Sequence, residues 1–186
     1  MIANTDESWG WPARALHWLI ALLLFVQIGL AFVMDEVPKA EEQYYLGLHA
    51  SVGASLLVVM IARLCWRALN KSPLPPKGTP FWQESLARVV HWGLYVVTFA
   101  TVIAGWMLNG SEREPVPVKV FGLIELPQLM QPNSPYNDLL GEVHETLAFT
   151  LMALIIVHVI GALYHHVVLR DDVLRRMTSG ATSANV

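Results

Sequence analysis

The sequence predicts an all-α integral membrane protein built as a four-helix bundle. Of its 186 residues, 54% are hydrophobic and only 15% are charged, whereas charged residues make up about a quarter of a typical soluble domain. Four stretches stay mostly apolar for roughly 20 residues, the length with which a helix crosses a hydrocarbon core about 30 Å thick. Helices are required there because lipid offers no partner to an unpaired backbone group.

The four predicted spans belong to one domain, residues 1–177. They cover residues 13–34, 46–67, 89–108 and 142–169. The first span is expected to stay in the protein, because no basic segment precedes it and no small-residue cleavage site follows it, as a signal peptide would require.

The connections between the spans differ in composition. Residues 70–80 form a proline-rich linker that cannot be helical. Residues 109–141 form a long segment, in which Ser134 and Pro135 are predicted to be the N-cap and first position of the fourth helix. Residues 178–186 are predicted to be a disordered tail.

The basic residues are distributed unevenly between the two ends of the predicted bundle. Nine lysines and arginines lie on the side that carries both termini, and three lie on the other side. The positive-inside rule therefore predicts that both termini are cytoplasmic. The net charge of −3 gives no indication of a nucleic-acid partner, and the lone Cys65 excludes an intramolecular disulfide and any multi-cysteine zinc or iron–sulfur site.

All seven histidines lie within the spans or at their ends. They are His17, His49, His91, His144, His158, His165 and His166. A single buried histidine usually makes an interhelical hydrogen bond, but seven with almost no acidic partners need a shared explanation. A zinc site is disfavoured because the histidines pair across helices rather than clustering with carboxylates or thiolates. A proton relay through histidines is a minor alternative.

Depth in the membrane suggests that shared explanation. His158 follows His144 by fourteen residues, which places the two about 21 Å apart along one helix and on nearly the same face. His49 matches the depth of His144, and His17 roughly matches that of His158. Two stacked bis-histidine sites follow, which is how helical bundles hold b-type haem. His91 lies at a depth similar to that of His17, so spacing alone leaves the partner of His158 open.

The remaining histidines are less constrained. His165 and His166 lie about 11 Å beyond His158 toward the cytoplasmic headgroups. They could bond haem propionates, line a quinone pocket or simply lie at the interface. Gly53 and Gly161 fall on the faces of His49 and His158, where they either leave room for a flat macrocycle or serve ordinary helix packing.

Several motifs together resemble the bacterial cytochrome b561 family of small inner-membrane dihaem proteins. They are Leu16-His17-Trp18-Leu19, Gly47-Leu48-His49 with Gly53, Arg63-Leu64, His91, and above all the stretch from His144 to Met177. The resemblance covers nearly the whole chain and is weakest in the two outer loops.

The resemblance implies two haem b groups, with His17 and His158 ligating the iron on the cytoplasmic side and His49 and His144 the outer one. It leaves His91 without a ligand role, so that His91, His165 and His166 become candidates for the quinone or propionate neighbourhood. It also implies ubiquinone as a substrate and superoxide oxidation at the outer face, an oxidoreductase activity. No side chain is predicted to be catalytic, because two histidines fill both axial positions and electrons must pass at the haem edge.

The outer loops are more acidic than a superoxide-steering surface should be. The first outer loop, residues 35–45, carries a net charge of −3. Residues 110–141, in the second outer loop, carry a net charge of −2. A basic periplasmic protein such as a c-type cytochrome is therefore an alternative donor. Another alternative is a membrane-anchor cytochrome b subunit of a dehydrogenase or hydrogenase, and a non-redox bundle is the least favoured.

Overall fold

The computed structural model describes residues 1–76 and 78–180, and it is mostly helical. Four long helices are α1 (Trp11–Glu36), α2 (Lys39–Leu69), α3 (Phe81–Ser111) and α4 (Asn137–Tyr164). A π-helical turn (His165–Leu169) extends α4, and the short α5 (Val173–Thr178) follows it. All four long helices, α4 together with its π-helical turn, are long and apolar enough to cross a membrane. The predicted all-α membrane bundle is thereby confirmed.

The helices pack as two pairs, α1 on α2 and α3 on α4, and the pairs meet mainly through α2 and α3. The main apolar core contains Ile20, Leu56, Val59, Met60 and Tyr95. Most large apolar side chains instead face outward, including Phe25 at 78% exposure. Exposed apolar surface of this extent is expected where lipid is the solvent.

The two ends of the bundle differ. The end that carries both termini, here called the terminal end, also holds the linker between α2 and α3. Its segments are tied together through backbone carbonyls: Asn4 donates to Lys71, Trp18 to Met177 and Arg176 to Leu74. The opposite end, here called the hairpin end, holds the short α1–α2 turn and the long α3–α4 segment.

The α3–α4 segment contains a structure that the sequence analysis did not predict. Strands β1 (Val118–Val120) and β2 (Ile124–Leu126) form an antiparallel hairpin in which Val120 pairs with Ile124. The inner side chains of β1, Val118 and Val120, pack against Ala54 of α2.

Two predicted boundaries differ from the structure. Helix α4 begins at Asn137, so the prediction of Ser134 and Pro135 as its N-cap and first position was wrong. The Ser134 hydroxyl accepts from the amide of Tyr136 in a turn that precedes the helix, and so it is not available to cap α4.

The predicted tail begins within an ordered segment. Thr178 ends α5, and its carbonyl accepts a hydrogen bond from Arg14, while the carbonyl of Gly180 accepts one from Ser8. The rest of the predicted tail, residues 181–186, lies outside the described residues.

Candidate functional site

At the hairpin end, α2 and α4 bring two imidazole rings face to edge. The ring centres of His49 and His144 are 6.2 Å apart, with an angle of 83° between the planes. The Nδ1 of His144 lies 3.0 Å from the carbonyl oxygen of Thr101 on α3. A hydrogen bond to that carbonyl requires the proton on Nδ1, which leaves Nε2 as the free lone pair. This hydrogen bond therefore fixes both the tautomer and the orientation of the His144 ring.

Small residues line the space around this pair. Gly105 allows the His144 ring to lie against the α3 backbone, because a Cβ at that position would stand 2.7 Å from Cε1 of the ring. Gly53 faces the side chain of Gln27, whose Oε1 is buried without a hydrogen-bond partner among the described residues. Gly53 was recognisable from the sequence, whereas Thr101, Gly105 and Gln27 are recognisable only once the helices are packed.

A cavity opens between the helix pairs at this level. It is partly open to the exterior. Its lining is predominantly apolar and includes His49, His144, Gly53, Ala54, Trp106 and Val118. The hairpin thus contributes one wall of the cavity through Val118. Flat macrocycles bind in spaces of this kind, which are mostly apolar with a few polar groups directed inward.

At the terminal end, three imidazole rings lie together. The ring centres of His17 and His158 are 6.0 Å apart, and those of His91 and His158 are 5.1 Å apart. The structure thus brings together all three histidines that the sequence placed at this depth.

The length of a metal–imidazole bond sets the separation expected between two imidazole rings that bind one metal. Metal–imidazole bonds are about 2 Å long and a ring nitrogen lies about 1 Å from its ring centre, so two axial imidazoles on one metal have centres roughly 6 Å apart. The pairs His49–His144 and His17–His158 match this separation, whereas the 5.1 Å between His91 and His158 falls short of it. The residues therefore fit a haem iron at two levels of the bundle.

The donor set agrees with haem rather than a bare ion. Within the part of the chain that the structure describes, no group of three or more His, Cys, Asp or Glu side chains is arranged to hold a metal ion. A bare zinc ion takes three or four such ligands, whereas haem iron takes two axial ones.

A half-buried arginine connects the helices near the terminal-end rings. The Arg63 guanidinium donates to the carbonyl of Ala13 and to the hydroxyl of Tyr95. Ala13 is one helical turn before His17, and Tyr95 is one turn after His91. From the sequence, Arg63 served only as a basic residue near a span end and as part of a motif. An arginine flanked by apolar residues on a helix is the signal that could have indicated a structural role.

His165 and His166 lie outside both imidazole clusters. His165 is half-buried in the π-helical turn, and its Nδ1 lies 2.5 Å from a carboxylate oxygen of Asp171. The other oxygen of Asp171 accepts from the amide of Val173 at the start of α5. His166 is exposed. These contacts give His165 a structural partner and leave the predicted quinone or propionate role of both residues untested.

Comparison with known proteins identifies the class of protein to which this site belongs. The family model described as "Prokaryotic cytochrome b561" matches residues 8–180. The chain belongs to the prokaryotic cytochrome b561 family. The resemblance noted from the motifs is therefore confirmed across almost the whole chain.

Named relatives within the cytochrome b561 family cover nearly the same length. "Cytochrome b561 homolog 2" of Escherichia coli (strain K12) is 30% identical over 183 residues, 97% of this chain and 96% of the relative. "Probable superoxide oxidase CybB" of Yersinia pestis is 31% identical over 166 residues, 87% of this chain and 90% of the relative. "Cytochrome b561 homolog 1" of Escherichia coli (strain K12) is 27% identical over 164 residues, again 87% of this chain and 92% of the relative.

Membership in the cytochrome b561 family establishes the general function. The protein is a multi-pass protein of the bacterial inner membrane that binds haem b and transfers electrons. Its environment is lipid, and its partners are of the quinone and electron-transfer kind.

Proposed function

We propose that this cytochrome b561 holds two haem b groups and transfers single electrons from a periplasmic donor to ubiquinone. His49 and His144 ligate one iron at the hairpin end, and His17 and His158 ligate the other at the terminal end. The observation that carries the proposal is that two imidazole pairs lie at two levels of the bundle. Their ring centres are 6.2 Å apart in the His49–His144 pair and 6.0 Å apart in the His17–His158 pair.

Haem b bound at these pairs supplies reversible one-electron chemistry at iron. The four histidines would hold the two irons, and iron held by two imidazoles would exchange electrons without binding substrate. The Thr101 carbonyl accepts from Nδ1 of His144, which leaves Nε2 as the nitrogen that would bind iron. His144 and His158 are fourteen residues apart on α4, so one helix sets the spacing of the two sites at about 21 Å along its axis.

The orientation follows from the basic residues. The sequence assigns nine of the twelve lysines and arginines to the side that carries both termini, which the positive-inside rule places in the cytoplasm. The hairpin end then faces the periplasm, and the His49–His144 pair is the one nearest to an external donor.

Superoxide is the donor that we propose first. The relative from Yersinia pestis is named a probable superoxide oxidase, and it is 31% identical to this chain. Two superoxide anions would lose one electron each to give two molecules of oxygen. One ubiquinone would take up these two electrons and two protons to give ubiquinol.

A direct assay tests this reaction. The purified protein with its haem should be reduced by a superoxide-generating system under conditions that exclude direct reduction by the generator. It should then reduce a soluble ubiquinone analogue with one quinol formed for every two superoxide anions consumed. Superoxide dismutase should abolish the reduction. If superoxide leaves the haem oxidised while dithionite reduces it, the superoxide assignment is wrong.

The acidic hairpin end favours a second candidate, a cationic electron-transfer protein such as a c-type cytochrome. Residues 35–45, which include the α1–α2 turn and the adjoining helix ends, carry a net charge of −3, and residues 110–141 carry −2. A surface of this sign repels an anion and attracts a basic partner.

The protein could instead be the membrane-anchor subunit of a dehydrogenase or hydrogenase. The soluble subunit of that enzyme would then dock on a loop and exchange electrons with the bundle. Co-purification of a large soluble subunit would favour that role.

A further inference from the structure

The hairpin between α3 and α4 is hydrogen-bonded to residues within α2, well beyond the N-terminal end of that helix. The amide of Lys119 donates to the Ser51 hydroxyl at 3.3 Å, and the amide of Phe121 donates to the Ser55 hydroxyl at 2.7 Å. Ser55 is six residues beyond His49, which is about 9 Å further along the helix axis toward the terminal end. The hairpin therefore runs down the side of α2 instead of lying across its end.

The charges of α4 mark where the membrane begins at this end. Glu145 is exposed and immediately follows His144, whose ring faces His49. No further aspartate, glutamate, lysine or arginine follows in α4, which ends at Tyr164. Glu145 is one residue, about 1.5 Å, beyond the His144 level, so the Ser55 level is about 7.5 Å deeper than this last carboxylate, within a hydrocarbon half-thickness of about 15 Å.

The hairpin changes from polar to apolar at the same depth. Lys119 and Glu125 are paired across the strands, near Ser51. Beyond them, residues 121–124, here called the hairpin tip, are phenylalanine, glycine, leucine and isoleucine. In the tip, Phe121 is 57% exposed, Leu123 84% and Ile124 64%.

Three backbone amides of the hairpin tip have hydrogen-bond partners. Besides the Phe121 amide, the amide of Gly122 donates to the carbonyl of Lys119 and that of Leu123 to the carbonyl of Val120. Gly122 has a φ of 72°, a conformation that glycine adopts without strain. Non-helical backbone is tolerated in the hydrocarbon region only where such partners satisfy it.

We propose that the hairpin is a re-entrant element and that its tip contacts the acyl chains of membrane lipids. Three observations carry this proposal: the bonds to Ser51 and Ser55, the position of Glu145, and the apolar, outward-facing tip. The hairpin would then separate the histidine cavity from lipid, because Val118 of the same hairpin lines that cavity.

Nitroxide scanning of the full-length protein, with its haem and in liposomes, tests the proposal. In a Cys65→Ser background, spin labels would be placed at Leu123→Cys and Ile124→Cys. Phe25→Cys on the exposed face of α1 provides the lipid reference, and Glu114→Cys provides the water reference. Two label positions in the tip keep the test intact if one variant fails to assemble.

Both tip labels should behave like the Phe25 label, with strong relaxation by dissolved oxygen and at least several-fold weaker relaxation by a water-soluble nickel chelate than at Glu114. A tip that is as accessible to nickel as Glu114 would overturn the proposal. The proposal would also be overturned if neither reagent reached the labels and they showed spin–spin broadening that dilution with unlabelled chains relieved, since the tip would then contact a second copy.

Ser55→Ala should raise nickel accessibility at Leu123→Cys more than Ser72→Ala does. Equal effects of the two substitutions would overturn the anchoring role of Ser55.

Discussion

The ring of His144 is positioned by contacts from α3, the helix packed against its own. Thr101 offers a carbonyl oxygen to Nδ1, and Gly105 leaves space for the ring edge. The sequence could predict that His144 lies on the same face as His158, because helical periodicity fixes their spacing. It could not predict Thr101 or Gly105, since their roles depend on how α3 is rotated against α4.

Gly105→Ala should weaken haem binding at the hairpin end. The new Cβ would stand 2.7 Å from Cε1 and 2.9 Å from Nδ1 of His144, so the ring must move off its hydrogen bond to Thr101. Overpacking of this kind costs about 1–3 kcal/mol. We expect lower haem retention after purification, with one of the two haem signals selectively reduced. Gly29→Ala is the matched control, because a Cβ there meets no described atom within 4 Å, and equal losses in both variants would contradict the prediction.

The separations at the terminal end distinguish His17 from His91 as the partner of His158. Spacing left both open, whereas ring centres 6.0 Å and 5.1 Å from His158 favour His17. We expect His17→Ala to lose about one haem per chain and His91→Ala to retain both. Haem content per chain, measured by the pyridine haemochrome, gives the answer. The reverse pattern would assign the iron to His91.

At the scale of elements, the four long helices were predictable because apolar length is a property of consecutive residues. The hairpin was not, because strands of three residues carry too little periodicity to be recognised. Its position depends on Ser51 and Ser55 of α2, more than 60 residues earlier in the chain. The start of α4 was predicted two residues early for a similar reason, since Ser134 is engaged in a turn.

Asp171 connects the π-helical turn to α5, and Asp171→Ala should loosen this junction. The substitution removes the partner of His165 and the acceptor for the amide of Val173. Loss of an intramolecular hydrogen bond typically costs about 0.5–1.5 kcal/mol. We expect a lower midpoint of thermal denaturation and faster proteolysis at α5, with haem content unchanged. Glu114→Ala, at an exposed position, is the control, and a loss of haem in Asp171→Ala would instead give this residue a role at the site.

For the whole molecule, the distribution of charge predicts how the donor reaction responds to salt. The acidic hairpin end repels an approaching anion and attracts a cationic protein. Salt weakens both effects, because charges are screened beyond a Debye length of about 10 Å at 0.1 M. Reduction by superoxide should therefore become faster as ionic strength rises, whereas reduction by a basic cytochrome c should become slower. Stopped-flow absorbance measures both rates. A superoxide rate that falls with salt would indicate a local positive field that the net charges of the loops conceal.

We propose that the chain holds haem b at two levels, between His49 and His144 and between His17 and His158. The most direct test is the ratio of haem to polypeptide in the purified protein, determined by the pyridine haemochrome and amino-acid analysis. The account predicts two haem b per chain, with reduced α-bands of the b type. A ratio of one, or the absence of those bands, would contradict it.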